Sequence, residues 1–310
     1  MISAPQGLAM TDTLGQTLEY GLLSKVITSF GDAVVMDVGA EKGGFVALAI
    51  AAGAKGVHAF EPLQLHFDTL RRQWGADERV TLQRCAISEK SGTATFHIAT
   101  DRHGRVLDHH HSLATITGAD RIRFALSEPV DTLTVEDAAA HFGFSARIDV
   151  LKIDTEGHDL AVLEGMGRLR PRIVVCEFWG NLPETSGRCP YRLENLVARG
   201  RDLGYEHCFS VSHLDGYSWI DIHPNTLISE RQWGNLFLVR QDAWHSVLAG
   251  PLSETIASLN ATNLVMHQGN VQALRDKETV IQELAAAAAD RLTLIHQLSG
   301  TPAPAAGHDR

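Results

Sequence analysis

A short apolar run that ends in an acidic, glycine-rich loop constrains the fold of this chain more than any other feature. Residues 34–38 read Val-Val-Met-Asp-Val, and Gly39 and Gly43 follow before the apolar stretch 46–52. This pattern predicts a buried strand that turns tightly into a helix. Because glycine has no Cβ, the backbone of such a turn can come close to a ligand.

A second predicted strand, residues 56–60, ends at Glu61 and completes a strand–helix–strand unit. Asp37 and Glu61 lie 24 positions apart. This spacing fits a unit of about 30 residues with an acid at the tip of the second strand, where it can bind ribose hydroxyls. The alternative is an ordinary βαβ turn that binds no ligand.

The charge and spacing of this loop distinguish two candidate cofactors. A dinucleotide loop reads G-x-G-x-x-G and presents N–H groups to a pyrophosphate. Here three residues separate Gly39 from Gly43, and Asp37 precedes them. A carboxylate repels a pyrophosphate but attracts an ammonium or sulfonium group. The loop therefore favours S-adenosylmethionine (SAM), which carries both groups and a ribose diol, over NAD. An NAD-type oxidoreductase is the alternative.

Further motifs extend this pattern along the chain. In order they are Asp37-Val-Gly39-Ala40-x-x-Gly43, Phe60-Glu61-Pro62, Ala86-Ile87-Ser88, Val130-Asp131-Thr132-Leu133 and Lys152-Ile-Asp154-x-Glu156-Gly157. Together they resemble the FkbM family of SAM-dependent methyltransferases over about residues 30–240, and the last motif is the most specific. Two residues of the cofactor loop depart from the family pattern. Glu41 stands where Asn is usual, and Gly44 stands where an aromatic residue is usual.

The resemblance implies a Rossmann-like class I methyltransferase fold of the α/β class. Its sheet would be mostly parallel and seven-stranded, with an antiparallel last strand, and residues 205–211 and 235–240 are predicted to close it. The resemblance also implies that residues 84–86 lie near the adenine. The predicted cofactor-binding residues are Asp37, Gly39, Ala40, Gly43, Glu61, Pro62, Arg84, Ala86 and Asp154.

Two further predicted strands, residues 147–153 and 172–176, deliver acids and a histidine at their carboxyl ends. In open α/β sheets ligands bind at these ends. A hydroxyl acceptor must lose a proton during methyl transfer, which requires a base near the methyl group. The predicted catalytic residues are Asp154, Glu156, His158 and Glu177. Lys152, inside the first of these strands, is expected to pair with an acid.

We expect Asp154 or His158 to be the base. In favour of His158, a neutral imidazole titrates in the range that a base requires. The alternative for His158 is a residue at a helix start that packs on its own turn. A divalent metal held by Asp154 and Glu177 is a less favoured alternative, and no metal site is predicted.

Residues 99–129 are the least regular part of the predicted core and contain His103 and three consecutive histidines, 109–111. In an extended chain alternate side chains point in opposite directions, so at most two of the three consecutive histidines could share an ion. A solvated substrate loop is favoured over a metal site. Long functional loops often lie over active sites, so this one is the candidate for acceptor recognition.

Composition limits the function. The chain has 310 residues and a formal net charge of −10, which argues against a nucleic-acid partner because such a partner requires a basic surface. Four cysteines without a C-x-x-C pair indicate reduced thiols and a cytoplasmic protein. No signal peptide or membrane span is predicted.

The predicted organisation has four parts. Residues 1–30 form a tail and an amphipathic helix, 31–245 the methyltransferase domain, 251–299 a helical, coiled-coil-like extension, and 300–310 a disordered tail. The extension could pair with its own copy to give a homo-oligomer. The family resemblance implies O-methylation of a sugar, glycan or polyketide-type acceptor. A non-catalytic scaffold in a glycan-assembly complex, acting through the extension, is the other alternative.

Overall fold

The computed structural model describes residues 14–117, 119–144, 147–183, 187–222 and 227–260. The chain divides into two compact units, residues 1–257 and 258–310, and the fold below is that of the first. The predicted N-terminal tail, the heptad-like segment from residue 271 and the predicted disordered tail lie outside the described residues.

Strands and helices alternate along the first unit. The helices are α1 Leu14–Phe30, α2 Gly44–Ala51, α3 Gln64–Trp74, α4 Val135–His141, α5 Asp159–Glu164, α6 Leu193–Asp202 and α7 Gln241–Ala243, which continues into π-helical Trp244–Leu248. The strands are β1 Val34–Val38, β2 Gly56–Phe60, β3 Val80–Gln83, β4 Ala86–Ile87, β5 Gly92–Thr100, β6 Arg123–Leu133, β7 Val150–Ile153, β8 Ile173–Trp179, β9 Asn181–Leu182, β10 Gly187–Arg188, β11 His207–Leu214, β12 Tyr217–Asp221 and β13 Trp233–Val239.

The main sheet has the strand order β12-β11-β13-β8-β7-β1-β2-β3. Five neighbouring strands, from β8 to β3, run parallel, and β13 joins β8 in antiparallel orientation. The Rossmann-like class I fold with an antiparallel last strand is thereby confirmed. Strands β5, β6 and β4 form a separate three-stranded sheet.

The main sheet has eight strands rather than the predicted seven. The additional strand, β12, pairs with β11 through a hairpin whose turn is Asp215-Gly216. Both turn residues have positive φ, 48° and 85°, as the tight turn of a two-residue hairpin requires. No strand is predicted from the sequence in this stretch, and β12 lies at the outer edge of the sheet.

Both faces of the parallel strands are buried, which explains their nearly continuous apolar sequences. In β1, Val35 packs in one core cluster with α1 and α2, whereas Met36 packs in the other cluster with α4, α5 and α6. Asp37 follows on the same face as Val35 and is completely buried. A charged residue there requires a partner, and this partner comes from β7.

Two local features complete the fold. The Thr134 side chain accepts a hydrogen bond from the backbone N–H of Asp137 and caps α4. All four cysteines are free thiols. No helix in the described part of the chain is long and apolar enough to cross a membrane.

Candidate active site

A cavity of about 860 Å³ opens at the carboxyl ends of β1, β2, β7 and β8. Its walls come from the glycine loop, helix α3, the histidine-rich loop, the segment that follows β7 and Glu177 of β8. Most of the predicted site residues line it, namely Gly39, Ala40, Gly43, Glu61, Pro62, Ala86, Asp154, Glu156, His158 and Glu177. The structure therefore brings these predicted residues together around one cavity, while their roles stay predictions.

The glycine loop is closed by contacts that leave no room for side chains. Gly39 has φ 79°, and a Cβ built on it would lie 1.9 Å from the carbonyl oxygen of Asp154. Gly43 has φ 91°, and its Cβ would lie 2.7 Å from Leu70. The loop after β1 thus lies directly against the exit of β7 on one side and α3 on the other.

Glu61, at the tip of β2, accepts hydrogen bonds with both carboxylate oxygens, one of them from the glycine loop. Oε2 accepts a hydrogen bond from the Glu41 N–H and Oε1 accepts one from the Leu63 N–H, each at 2.8 Å. Burial raises the pKa of this carboxyl to about 7. Each oxygen can accept a second hydrogen bond. Contact with a ribose diol therefore stays a prediction, in addition to the observed hydrogen bonds.

The carboxylate of Asp37 forms an ion pair with a lysine of the same chain. Its Cα partner across the β1–β7 ladder is Lys152, whose Nζ lies 3.4 Å from Asp37 Oδ1 and 3.2 Å from Asp154 Oδ2. The expected pairing of Lys152 with an acid is confirmed. Contrary to expectation, the Asp37 carboxylate does not line the cavity, because it lies inside the strand on the face that Lys152 covers.

Arg84 is also outside the cavity lining. Its side chain is exposed and donates a hydrogen bond to Gln64, whereas the next residues, Cys85 and Ala86, line the cavity. Arg84 therefore does not lie at the cavity wall, where the expected contact with the adenine would form.

Glu156, in the segment after β7, pairs with His110 of the histidine-rich loop, and the sequence did not reveal this pair. Glu156 Oε1 accepts a hydrogen bond from the His110 backbone N–H at 3.2 Å, and His110 Nδ1 lies 3.3 Å from Glu156 Oε2. Burial raises the pKa of Glu156, but the bonds from His110 outweigh burial and hold that pKa below its usual value. Burial lowers the pKa of His110, yet Glu156 keeps it above its usual value.

Glu177 differs from the other acids of the cavity. Burial, with the nearby carboxylates of Asp154, Glu156 and Asp159, raises its pKa well above the usual value. Its Oε2 is buried without a hydrogen-bond partner among the described residues. Burial and these neighbours therefore favour the protonated form of Glu177, which can donate a hydrogen bond.

Asp159, which the sequence interpretation missed, holds the site together. It is completely buried, its Oδ1 accepts from the Thr155 N–H at 3.0 Å, and its Oδ2 accepts from the Glu177 N–H at 2.7 Å. Burial raises its pKa to about 7. Its place in the first turn of α5, after the acidic motif, was the only available sequence signal.

His158 lines the cavity and is held by Ser88. Its Nε2 lies 2.8 Å from Ser88 Oγ, which donates its own proton to Glu89. His158 Nε2 must therefore carry a hydrogen and Nδ1 is the acceptor. Burial lowers the pKa of this histidine. His158 is the N-cap residue of α5, as the alternative interpretation expects, but its side chain makes no capping bond there and contacts Ser88 instead.

The three consecutive histidines take three different partners. His109 Nδ1 lies 3.6 Å from Glu41, His110 pairs with Glu156, and His111 accepts from the Ala99 N–H through Nδ1. The same loop is tied to the glycine loop by the Lys42–Asp108 ion pair at 2.7 Å. All three histidines line the cavity. No cluster of three metal-binding side chains occurs among the described residues.

Aromatic residues missed by the sequence interpretation complete the wall near the glycine loop. His66 and Trp74 of α3 line the cavity, and each has a buried ring nitrogen without a hydrogen-bond partner in the described chain. Burial lowers the pKa of His66 to about 4, so this ring is neutral. Tyr20 brings α1 to the cavity as well.

A mostly parallel sheet with this cavity at its carboxyl edge is the Rossmann-like class I arrangement. A family model for the methyltransferase FkbM domain matches residues 37–206, more than half of the chain. The protein belongs to the FkbM methyltransferase family and is a SAM-dependent methyltransferase. The resemblance found in the sequence is thereby confirmed, and an NAD-type oxidoreductase gains no support.

Other comparisons add little. The search of curated proteins found no significant match. Among solved structures, an rRNA methylase from Streptococcus thermophilus matches at 9% identity with a TM-score of 0.37, over 76% of this chain and 100% of the other. Magnesium protoporphyrin IX methyltransferase from Synechocystis PCC 6803 with bound SAM matches at 12% identity with a TM-score of 0.38, over 73% and 79% of the chains. Similarities this weak carry no argument about the acceptor.

Proposed function

We propose that this protein transfers a methyl group from SAM to a hydroxyl oxygen of a sugar, glycan or natural-product acceptor. The observation that carries the proposal is a group of titratable side chains on one part of the cavity wall. Asp154, Glu156 and His158 follow β7, Glu177 lies in β8, and His110 comes from the histidine-rich loop. Such a wall offers both donors and acceptors to a hydroxylated molecule.

The other half of the cavity fits the cofactor. Gly39 and Gly43 bring the backbone to the cavity without side chains, and Glu61 presents its carboxyl there. Trp74 Nε1 is a buried donor without a partner in the described chain, and an unsatisfied buried donor is costly unless a ligand accepts from it. These residues would hold the adenosine part of SAM. When bound, SAM supplies an electrophilic methyl group.

The acceptor side can position a hydroxyl and receive its proton. In its protonated form, which burial favours, Glu177 can donate a hydrogen bond to an acceptor oxygen and orient the hydroxyl. Of the predicted bases, Asp154 is paired with Lys152, and His158 keeps Nδ1 as its acceptor nitrogen. Since the donor is already activated, positioning and exclusion of water make up most of the remaining task.

A labelled-methyl transfer assay tests the proposal. The protein is incubated with methyl-labelled SAM and separated fractions of glycans, sugars and hydroxylated natural products, and the labelled atom is mapped in each product. We expect label on an ether oxygen, and Asp154→Asn and His158→Ala test the two predicted bases in the same assay. Label found only on nitrogen, carbon or sulfur, or no transfer to any fraction by a protein that binds SAM, would contradict the proposal.

A further inference from the structure

We propose that His110, oriented by Glu156, is the general base that removes the proton from the acceptor hydroxyl. This inference rests on the proposed O-methylation and deepens it, because it assigns a catalytic role to a residue outside the family motifs. His110 and Glu156 come from segments 46 residues apart, and the fold brings their side chains together at the cavity wall.

The geometry of the pair sets the orientation of the imidazole. A carboxylate only accepts hydrogen bonds, so His110 Nδ1 is the nitrogen that donates to Glu156 Oε2. The opposite nitrogen, Nε2, is then the atom that takes a proton. A carboxylate that fixes the tautomer of a catalytic histidine and stabilises its cation is the arrangement that general-base histidines require.

Backbone strain supports a functional role for the pair. His110 has φ 73° and Glu156 has φ 51°, both in the left-handed region that non-glycine residues rarely adopt. Of the four non-glycine residues with positive φ in the described chain, these two and Glu41 line the cavity. Strain of this kind concentrates at active sites, where the surrounding structure holds a side chain in place.

The charges around His110 favour its protonated form. Glu156 and Asp154 face it from the segment after β7 and raise its pKa. On its own loop, the His109 ring lies 6.2 Å away, and His111 is neutral because its two nitrogens are engaged by Ala99 and Leu107. His110 is therefore a stronger base than an isolated histidine, whereas burial makes His158 a weaker one.

The proposed step is balanced. As the acceptor oxygen forms its bond to the methyl carbon, the carbon–sulfur bond breaks and its electron pair goes to sulfur. The hydroxyl proton passes to His110 Nε2 and leaves an imidazolium paired with Glu156, which later releases the proton to water. This sequence requires no oxidant, reductant or further reactant.

The pH dependence of kcat in the labelled-methyl assay distinguishes His110 from His158. A base must be neutral, so activity rises as pH passes the pKa of that base. With His110 as the base, the acidic limb lies above the ordinary histidine pKa of about 6.5, whereas with His158 it lies below. Glu156→Gln keeps an acceptor for the His110 N–H but removes the charge, so we expect the limb to move to lower pH and kcat to fall.

We expect His110→Gln to lower kcat by about 10²–10⁴-fold and to abolish the acidic limb of the pH profile of kcat. Calorimetry with S-adenosylhomocysteine should give unchanged affinity, which shows that the variant is folded. His103→Gln is the matched control, because His103 lies in the same loop, is exposed and does not line the cavity.

Two outcomes would overturn the inference in different ways. A wild-type enzyme that methylates oxygen while His110→Gln and Glu156→Gln keep its rate and its acidic limb refutes the base and leaves the proposed function standing. A wild-type enzyme that binds SAM but transfers no methyl group to oxygen refutes the proposed function, and the base with it.

Discussion

Replacing Lys152 by methionine tests the central ion pair of the fold. The Lys152 side chain is only 9% exposed, and its ammonium is the positive group beside the fully buried Asp37 carboxylate. Removal of one partner of a buried pair leaves an uncompensated charge and costs about 3–5 kcal/mol. For a urea slope of about 3 kcal/mol/M, the unfolding midpoint of Lys152→Met should fall by about 1 M or more.

The effect should depend on pH in a defined direction. Burial already raises the pKa of Asp37 despite Lys152, and loss of the ammonium raises it further. A carboxyl whose pKa is raised in the folded state destabilises that state as pH rises above its unfolded value of about 3.9. The loss of unfolding free energy should therefore be small at pH 4 and largest near neutrality.

Urea unfolding followed by circular dichroism measures both effects. Lys55→Met, at an exposed lysine, is the control and should change the unfolding free energy by no more than about 0.5 kcal/mol. The double variant Asp37→Asn with Lys152→Met should be more stable than Lys152→Met alone, because no buried charge remains. A loss below about 1 kcal/mol for Lys152→Met at neutral pH would refute this account of the pair.

Three further predictions follow from the cavity. Gly39→Ala should abolish SAM binding in calorimetry because its Cβ meets a carbonyl oxygen, while Gly31→Ala, with a similar φ but no atom within 4 Å, should retain it. In urea unfolding, the unfolding free energy of the wild type should fall between about pH 4 and pH 7, because the pKa of Asp159 is raised to about 7 in the folded state. Asp159→Asn should remove this fall. Glu177→Gln should change the neutral-pH unfolding free energy by no more than about 1 kcal/mol, because burial and the neighbouring carboxylates already disfavour a charge on that carboxyl; a larger loss would contradict this effect of burial.

Local patterns were sufficient for much of the fold. The apolar runs of β1 and β2, with the glycines and acids at their ends, predicted the βαβ unit and the edge of the sheet where the cavity lies. The hairpin at Asp215-Gly216 was not predicted, although its dipeptide is a strong turn signal.

Long-range pairing explains the other differences. The burial of Asp37 against Lys152 depends on the register of β1 and β7, which sequence spacing does not provide. The His110–Glu156 pair depends on where an irregular loop returns to the sheet. His66 and Trp74 reach the cavity because α3 packs against Gly43, and in the sequence they look like ordinary helix residues.

The Lys42–Asp108 bridge is a minor part of what holds the histidine-rich loop beside the glycine loop. Its two side chains are 40% and 69% exposed, and exposed bridges contribute only about 0–1 kcal/mol. The hydrogen bonds from His110 to Glu156 and from Ser112 to Thr155 also anchor this loop. Raising the ionic strength should therefore weaken the bridge while the cavity wall keeps its shape.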